Sequence, residues 1–142
     1  MNLQDFIKQG KVRKESPDKE LAKSIIETIA QDIRFLNKLK VAEDSSRRLM
    51  CDYYDCLRAV IEAIAILDGI KSYSHEAFTY YLKEQKKEVV LAEKFDRHRK
   101  IRNQLEYYGK TISKEDAKNN IEDIKLLIKL LKDKYLRGVI DE

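Results

Sequence analysis

The sequence predicts an all-α fold, an antiparallel four- to five-helix up-and-down bundle, and three observations predict it. Only one Pro and four Gly interrupt 142 residues, whereas the turns of a β-rich fold would demand more of both. A content of 43% hydrophobic and 38% charged residues suits helices with one buried stripe and one charged face. Apolar residues recur at three- and four-residue steps along most of the chain, the period of an amphipathic helix. This length fills one hydrophobic core without disulfides or metals, so one domain is expected.

Residues 1–15 read as a tail or short helix. Leu3, Phe6 and Ile7 make a brief amphipathic piece ending at Gly10, and Lys11 to Lys14 form a basic connector expected to be mobile. The bundle then occupies residues 16–142. Ser16-Pro17-Asp18 marks a helix start: Ser16 as N-cap, Pro17 at the first helical position, and an acid facing the positive end of the dipole. This first helix is expected to reach about Lys40, burying Leu21, Ile25, Ile29, Ile33 and Leu36 with Ala22 and Ile26.

Asp44 or Ser45 caps a second helix, in which Leu49, Tyr53, Leu57, Val60, Ile64 and Leu67 repeat until Gly69. Glu62 is the lone charge between Ala59 and Leu67, so it either faces water or needs a partner. A shorter third helix begins at Ser72 or Ser74 and packs through Phe78, Tyr81 and Leu82. The fourth runs from about Val89 to Tyr108 and stops at Gly109 in a left-handed cap. Ser113 and Asp116 open the last helix, whose apolar face is Ile121, Ile124, Leu127, Ile128, Leu131 and Tyr135.

Charge and composition narrow the function. Lys plus Arg exceed Asp plus Glu by 29 to 25, which permits acidic partners without demanding them. Cys51 and Cys56 are five residues apart and point to different sides of one helix, so they read as buried structural thiols. His75 and His98 share no zinc-type spacing with them, so no metal and no cofactor are proposed. No apolar run is long enough for a signal peptide or a membrane span, which makes the cytoplasm the expected location.

The fourth helix carries polar chemistry that a plain bundle does not require. Arg97, Arg99, Lys100 and Arg102 fall within six residues. At about 100° per residue, His98 and Arg102 project one turn apart on the side that also carries Leu91, Phe95 and Leu105. Arg102 can reach along that seam to Asp52 or Asp55. Arg97, Arg99 and Lys100 can supply phosphate contacts, and Tyr107 and Tyr108 close the helix where a nucleic-acid base could stack.

Tyr53-Tyr54-Asp55, Leu67-Asp68-Gly69-Ile70-Lys71, Ser74-His75-Glu76-Ala77, Arg99-Lys100-Ile101-Arg102-Asn103 and Tyr107-Tyr108-Gly109 occur in this order. Together they resemble the HEPN family, the nucleotide-binding domain of higher eukaryotes and prokaryotes, over roughly Ser45 to Tyr135. The resemblance implies a helical bundle, often dimeric, of a kind that includes metal-independent ribonuclease toxins and partners of small nucleotidyltransferase antitoxins. Active members carry Arg, a polar residue and then His after four to six intervening positions.

Arg102 and Asn103 match the start of that motif, but the positions expected to hold His are Tyr107, Tyr108 and Gly109. A phenol, with a pKa of about 10, is a poor general base beside an imidazole. The implied catalytic set, Arg102, Asn103 and Tyr107, is therefore degenerate, while Arg97, His98, Arg99, Lys100 and Tyr108 are the implied RNA- or nucleotide-binding residues.

The function expected is RNA or nucleotide binding in the cleft of a homodimer, with weak or lost cleavage. One alternative is an active metal-independent endoribonuclease toxin using His98 or Tyr107. Another is a non-catalytic module that docks a nucleotidyltransferase.

Overall fold

The computed structural model describes residues 1–140, so the last two positions of the expected bundle lie outside the described residues. The chain is an all-α bundle. In order it forms α1 (Leu3–Lys8), β1 (Val12–Lys14), α2 (Lys19–Leu36), α3 (Ser46–Leu67), β2 (Ile70–Ser72), α4 (His75–Glu84), α5 (Val89–Tyr107), α6 (Lys114–Tyr135) and α7 (Arg137–Ile140). Helix α3 is the central rod: α2, α4, α5 and α6 all pack on it. Its Leu49, Tyr53, Leu57, Val60 and Ile64 are buried, as are Met50, Cys51, Tyr54, Cys56 and Ile61 on adjoining faces. Burial pushes the Cys51 thiol up to about 11 and the Cys56 thiol up to about 12, which keeps both protonated and unreactive at neutral pH.

The N-terminal segment departs from the expected mobile tail. Asn2 and Asp5 close a capping box on α1, Leu3 and Phe6 are buried, and the Phe6 ring lies 5.4 Å from that of Tyr80 on α4. The basic connector is a strand: β1 pairs antiparallel with β2, Val12 opposite Ser72 and Lys14 opposite Ile70. A six-residue helix and a three-residue strand are too short to hold themselves. Their partners lie some sixty to eighty residues away, where local periodicity carries no signal.

That pairing also moves the start of α2. The backbone of Glu15 donates to the carbonyl of Gly69, and that of Asp18 to Ile66. Ser16 and Pro17 lie outside the helix, and Asp18 becomes the cap by accepting from the Leu21 amide. The helix ends at Leu36, short of Lys40. Leu21 is exposed and the stripe is carried by Ala22, Ile26, Ile29 and Leu36. Gly69 adopts φ +73°, and a Cβ there would stand 2.3 Å from the carbonyl oxygen of Glu15. Only glycine fits this close approach.

The remaining helices follow the predicted pattern closely. Ser74 caps α4, whose Phe78, Tyr81 and Leu82 are buried. Ser113 caps α6 by accepting from the Asp116 amide, and Ile121, Ile124, Leu127, Ile128 and Leu131 face the core. Ser45 precedes α3 but its hydroxyl is turned away from the helix, accepting from the Ala42 amide and donating to the Lys40 carbonyl. No helix among the described residues is long and apolar enough to cross a membrane.

Candidate functional site

Helix α5 places its two conspicuous polar residues in opposite surroundings. His98 is fully buried on the α6 side, with Nε2 2.5 Å from Asp123 Oδ2. Burial lowers its pKa, Asp123 opposes the shift, and Arg97 adds to it. It is a packing residue that joins α5 to α6, and it stands apart from the surface residues grouped with it on sequence grounds.

Arg102 turns toward α3. Its guanidinium lies over the ring of Tyr54 at 5.7 Å and over that of Tyr107 at 5.4 Å. It donates to the Tyr107 hydroxyl at 3.2 Å and pairs with Asp55 at 3.6 Å. Burial works against its charge, but Tyr107 and Asp55 more than compensate and raise its pKa. Asp55 itself is raised by burial, against the pull of Arg102 and Arg58. Of the two acids that Arg102 can reach by sequence, Asp55 is the one engaged; Asp52 pairs with Arg48.

The buried ring of Tyr54 is the floor of this site. It stacks on Phe95 of α5 at 5.7 Å, carries Arg102 on its face, and extends its hydroxyl to within 3.5 Å of His75 Nδ1. His75, the first residue of α4, thereby joins Arg102 although no motif spacing links them. Burial lowers its pKa to about 4, helped by the charges of Arg58, Arg102 and Arg99. At neutral pH the imidazole is uncharged.

Around this centre the basic residues are already engaged. Arg58 holds Glu62, the acid isolated in the apolar run of α3, at 2.5 Å. Arg99 donates twice to Asp96 at 3.0 and 2.8 Å and approaches Glu76 at 3.7 Å. Lys100 also reaches Asp96. Burial penalises the Asp96 carboxylate, but the bonds from Arg99, Lys100 and Thr79 outweigh that and lower its pKa. Arg97 donates to Asn120 and lies 3.6 Å from Asp123, on the α6 side of the helix. The basic run is thus divided between two faces. Asn103 is half-buried, while Tyr107 and Tyr108 are 66% and 69% exposed.

Three buried side-chain nitrogens, Arg58 Nε, Arg102 Nε and His98 Nδ1, have no hydrogen-bond partner among the described residues, an unfavourable state for a polar group. Sequence reasoning passed over Arg58 and gave His75 no role at the site. The available signal for Arg58 is its i,i+4 spacing from Glu62, the lone charge between Ala59 and Leu67. For His75 the signal required knowing that α4 starts beside α3.

Beside the site, a groove of about 540 Å³ runs between α2 and α3. It is lined by Asp32, Asp52, Asp55 and Glu62 over Ile25 and Ile29. No family model, curated protein or solved structure matches this chain.

Proposed function

We propose that this protein is a HEPN-like module that binds RNA along the α5 edge of a homodimer and cleaves it weakly or not at all. The observation supporting this reading is the placement of Arg102. Its guanidinium is fixed between Tyr54 and Tyr107, next to two exposed tyrosine rings on which bases can stack. Arg102 then meets a phosphate in a preset orientation, and Arg99 and Lys100 extend the positive edge. The exposed Val90 and Tyr107 on α5, with Tyr108 just past its end, supply apolar area for a two-fold contact.

Weak cleavage follows from the imidazoles. Attack of the ribose 2′-oxygen on the adjacent phosphorus, which breaks the bond to the 5′-oxygen of the next nucleotide, needs a base for the hydroxyl and a proton for the leaving oxygen. His98 is sealed in the core. The ribonuclease alternative has one observation in its favour: α4 brings His75 to the hydroxyl of Tyr54, the ring that carries Arg102, where motif spacing supplies no imidazole. With a pKa of about 4, that imidazole accepts protons poorly.

The test is binding of single-stranded RNA by native protein and by Arg102→Ala, with mass measured by light scattering. The reading requires a dimer of the 16.8 kDa chain and an affinity loss of about tenfold or more, the loss of one charge-assisted contact. A monomer at high micromolar concentration, or undiminished binding by the variant, would overturn it. Vigorous metal-free cleavage that disappears in His75→Gln would establish the alternative instead.

A further inference from the structure

We propose that the outer face of the β1/β2 sheet, built from Lys11, Arg13, Lys71 and Tyr73, binds single-stranded nucleic acid. It is a second surface beyond the α5 reading and does not depend on Arg102.

The strand register assembles this face. Val12 and Ile70 are buried, so alternation along each strand turns Arg13 and Lys71 outward, and the register sets these two directly opposite each other. The ladder runs one residue further, because the Tyr73 amide donates to the Lys11 carbonyl at 2.8 Å. Lys11, Arg13, Lys71 and Tyr73 therefore share one exposed side. The Tyr73 ring is 58% exposed, with the Arg13 guanidinium 5.7 Å and the Lys71 ammonium 5.5 Å from its centre. An open aromatic ring is thus held beside two cations.

Charge separates this face from the rest of the molecule. On α5, Arg99 and Lys100 are engaged by Asp96 and Arg102 by Asp55, whereas Lys11, Arg13, Lys14 and Lys71 have no carboxylate partner among the described residues. Glu15 ends the row opposite Gly69, where its amide meets the Gly69 carbonyl. Four cations accordingly meet one free carboxylate, on a chain whose whole surplus is +4. The cavity of about 390 Å³ on the α2 side of Tyr73 also meets Asp18 and Glu62, but Asp18 caps α2 and Glu62 holds Arg58.

The pairing of Arg13 with Lys71 works against the fold. Like charges directly opposite each other destabilise a strand pair, and a sheet of three-residue strands has little stability to lose. A polyanion lying across the pair replaces that repulsion with attraction. Phosphates fit Lys11, Arg13 and Lys71 while a base stacks on Tyr73, the combination of charge and aromatic surface that a single strand uses. A duplex keeps its bases inside the stack. A lipid surface asks for an exposed apolar face, and Val12 and Ile70 are turned inward.

The experiment measures fluorescence anisotropy of a labelled oligoadenylate with the native protein and thermal unfolding of each variant. Lys71→Glu makes the cross-strand pair attractive, so it should unfold at the same or a higher temperature while affinity falls by about tenfold or more. Tyr73→Ala should weaken binding by about fivefold or more, the loss of one stacked base, and Tyr73→Phe should not. Arg13→Gln should lower the log–log salt slope by about 0.7, one phosphate contact on a single strand.

Undiminished affinity in Lys71→Glu or in Tyr73→Ala would overturn the proposal, as would a loss of binding that appears only where the unfolding temperature also falls. Displacement of the strand by polyglutamate at equal charge would assign the face to an acidic protein and overturn it too. Arg102→Ala tells the two surfaces apart. Loss there, with the sheet variants unchanged, keeps the α5 reading and removes this one; loss in the sheet variants alone does the reverse, and losses that add support both.

Discussion

The two histidines show how one bundle treats the same side chain in two ways. His98 lies in the α5/α6 seam with no exposed surface, bonded to a single carboxylate, and its work is done once the helices are joined. His75 lies half-buried at the start of α4, with its Nδ1 3.5 Å from the Tyr54 hydroxyl of α3. Burial disfavours the charged form of both. Asp123 opposes that effect at His98, whereas the charges of Arg58, Arg102 and Arg99 reinforce it at His75. A buried imidazole bonded to a carboxylate across a helix seam ties that seam together, and one surrounded by like charge is held in its neutral form.

The largest test of this contrast concerns what fixes α4, and with it His75. Gly69→Ala would force a Cβ against the Glu15 carbonyl in a left-handed backbone. It should destabilise the protein by more than about 3 kcal/mol in urea denaturation. Gly109→Ala, also left-handed but with nothing within 4 Å, should cost only about 1 kcal/mol. Equal losses would show that the approach of β1 to Gly69 does not anchor the His75 side.

His98→Ala should follow at roughly 2–4 kcal/mol, for the cavity and the broken bond to Asp123. His75→Gln should stay within about 1 kcal/mol of the native protein, because it removes a group that the surrounding charges oppose. A His75 variant as damaging as the His98 one would make both histidines structural.

Acid should separate them next. The folded pKa of His75 is about 4, below the unfolded value of about 6.5. Between these values the unfolded chain binds the extra proton, so stability is fully present above pH ~6.5 and is lost as pH falls toward ~4. The loss should be on the order of 2 kcal/mol, and it should shrink in His75→Gln. A stability profile flat from pH 7 to 4.5 would refute the depressed imidazole.

The smallest effect concerns the basic run. Replacing Arg97, Arg99 and Lys100 by Ala should weaken RNA binding and flatten its salt dependence, by at most about 2 in the log–log slope for three phosphate contacts on a single strand. Arg97 belongs to the His98 face, so Arg97→Ala alone should change the slope less than Arg99→Ala or Lys100→Ala. Equal slopes for the three single variants would mean that RNA spans both faces of α5.

Local chemistry alone gave the stripes of α3 and α6, the left-handed glycines, and Ser74 and Ser113 as caps, because each depends on residues within about one turn. The same reasoning put Arg102 on the apolar seam of its helix and within reach of Asp55. It failed wherever the partner was distant. Asp18 replaces Ser16 as the cap because β1 runs beside Gly69, and the tail docks because Tyr80 and Glu84 of α4 receive it. His98 and Arg102, one turn apart, look equivalent along the sequence; which neighbour each meets depends on how α3 and α6 flank α5.

Periodicity and capping residues therefore determined an all-α bundle and marked α5 as the helix with unusual polar content. Tertiary structure decided which of its polar residues are sealed and which are open, and it brought Tyr54 and Asp55 of α3 to Arg102, with His75 of α4 at the Tyr54 hydroxyl. The reason is physical: helix patterns act over three or four residues, whereas a site is assembled by packing among side chains that the sequence keeps far apart.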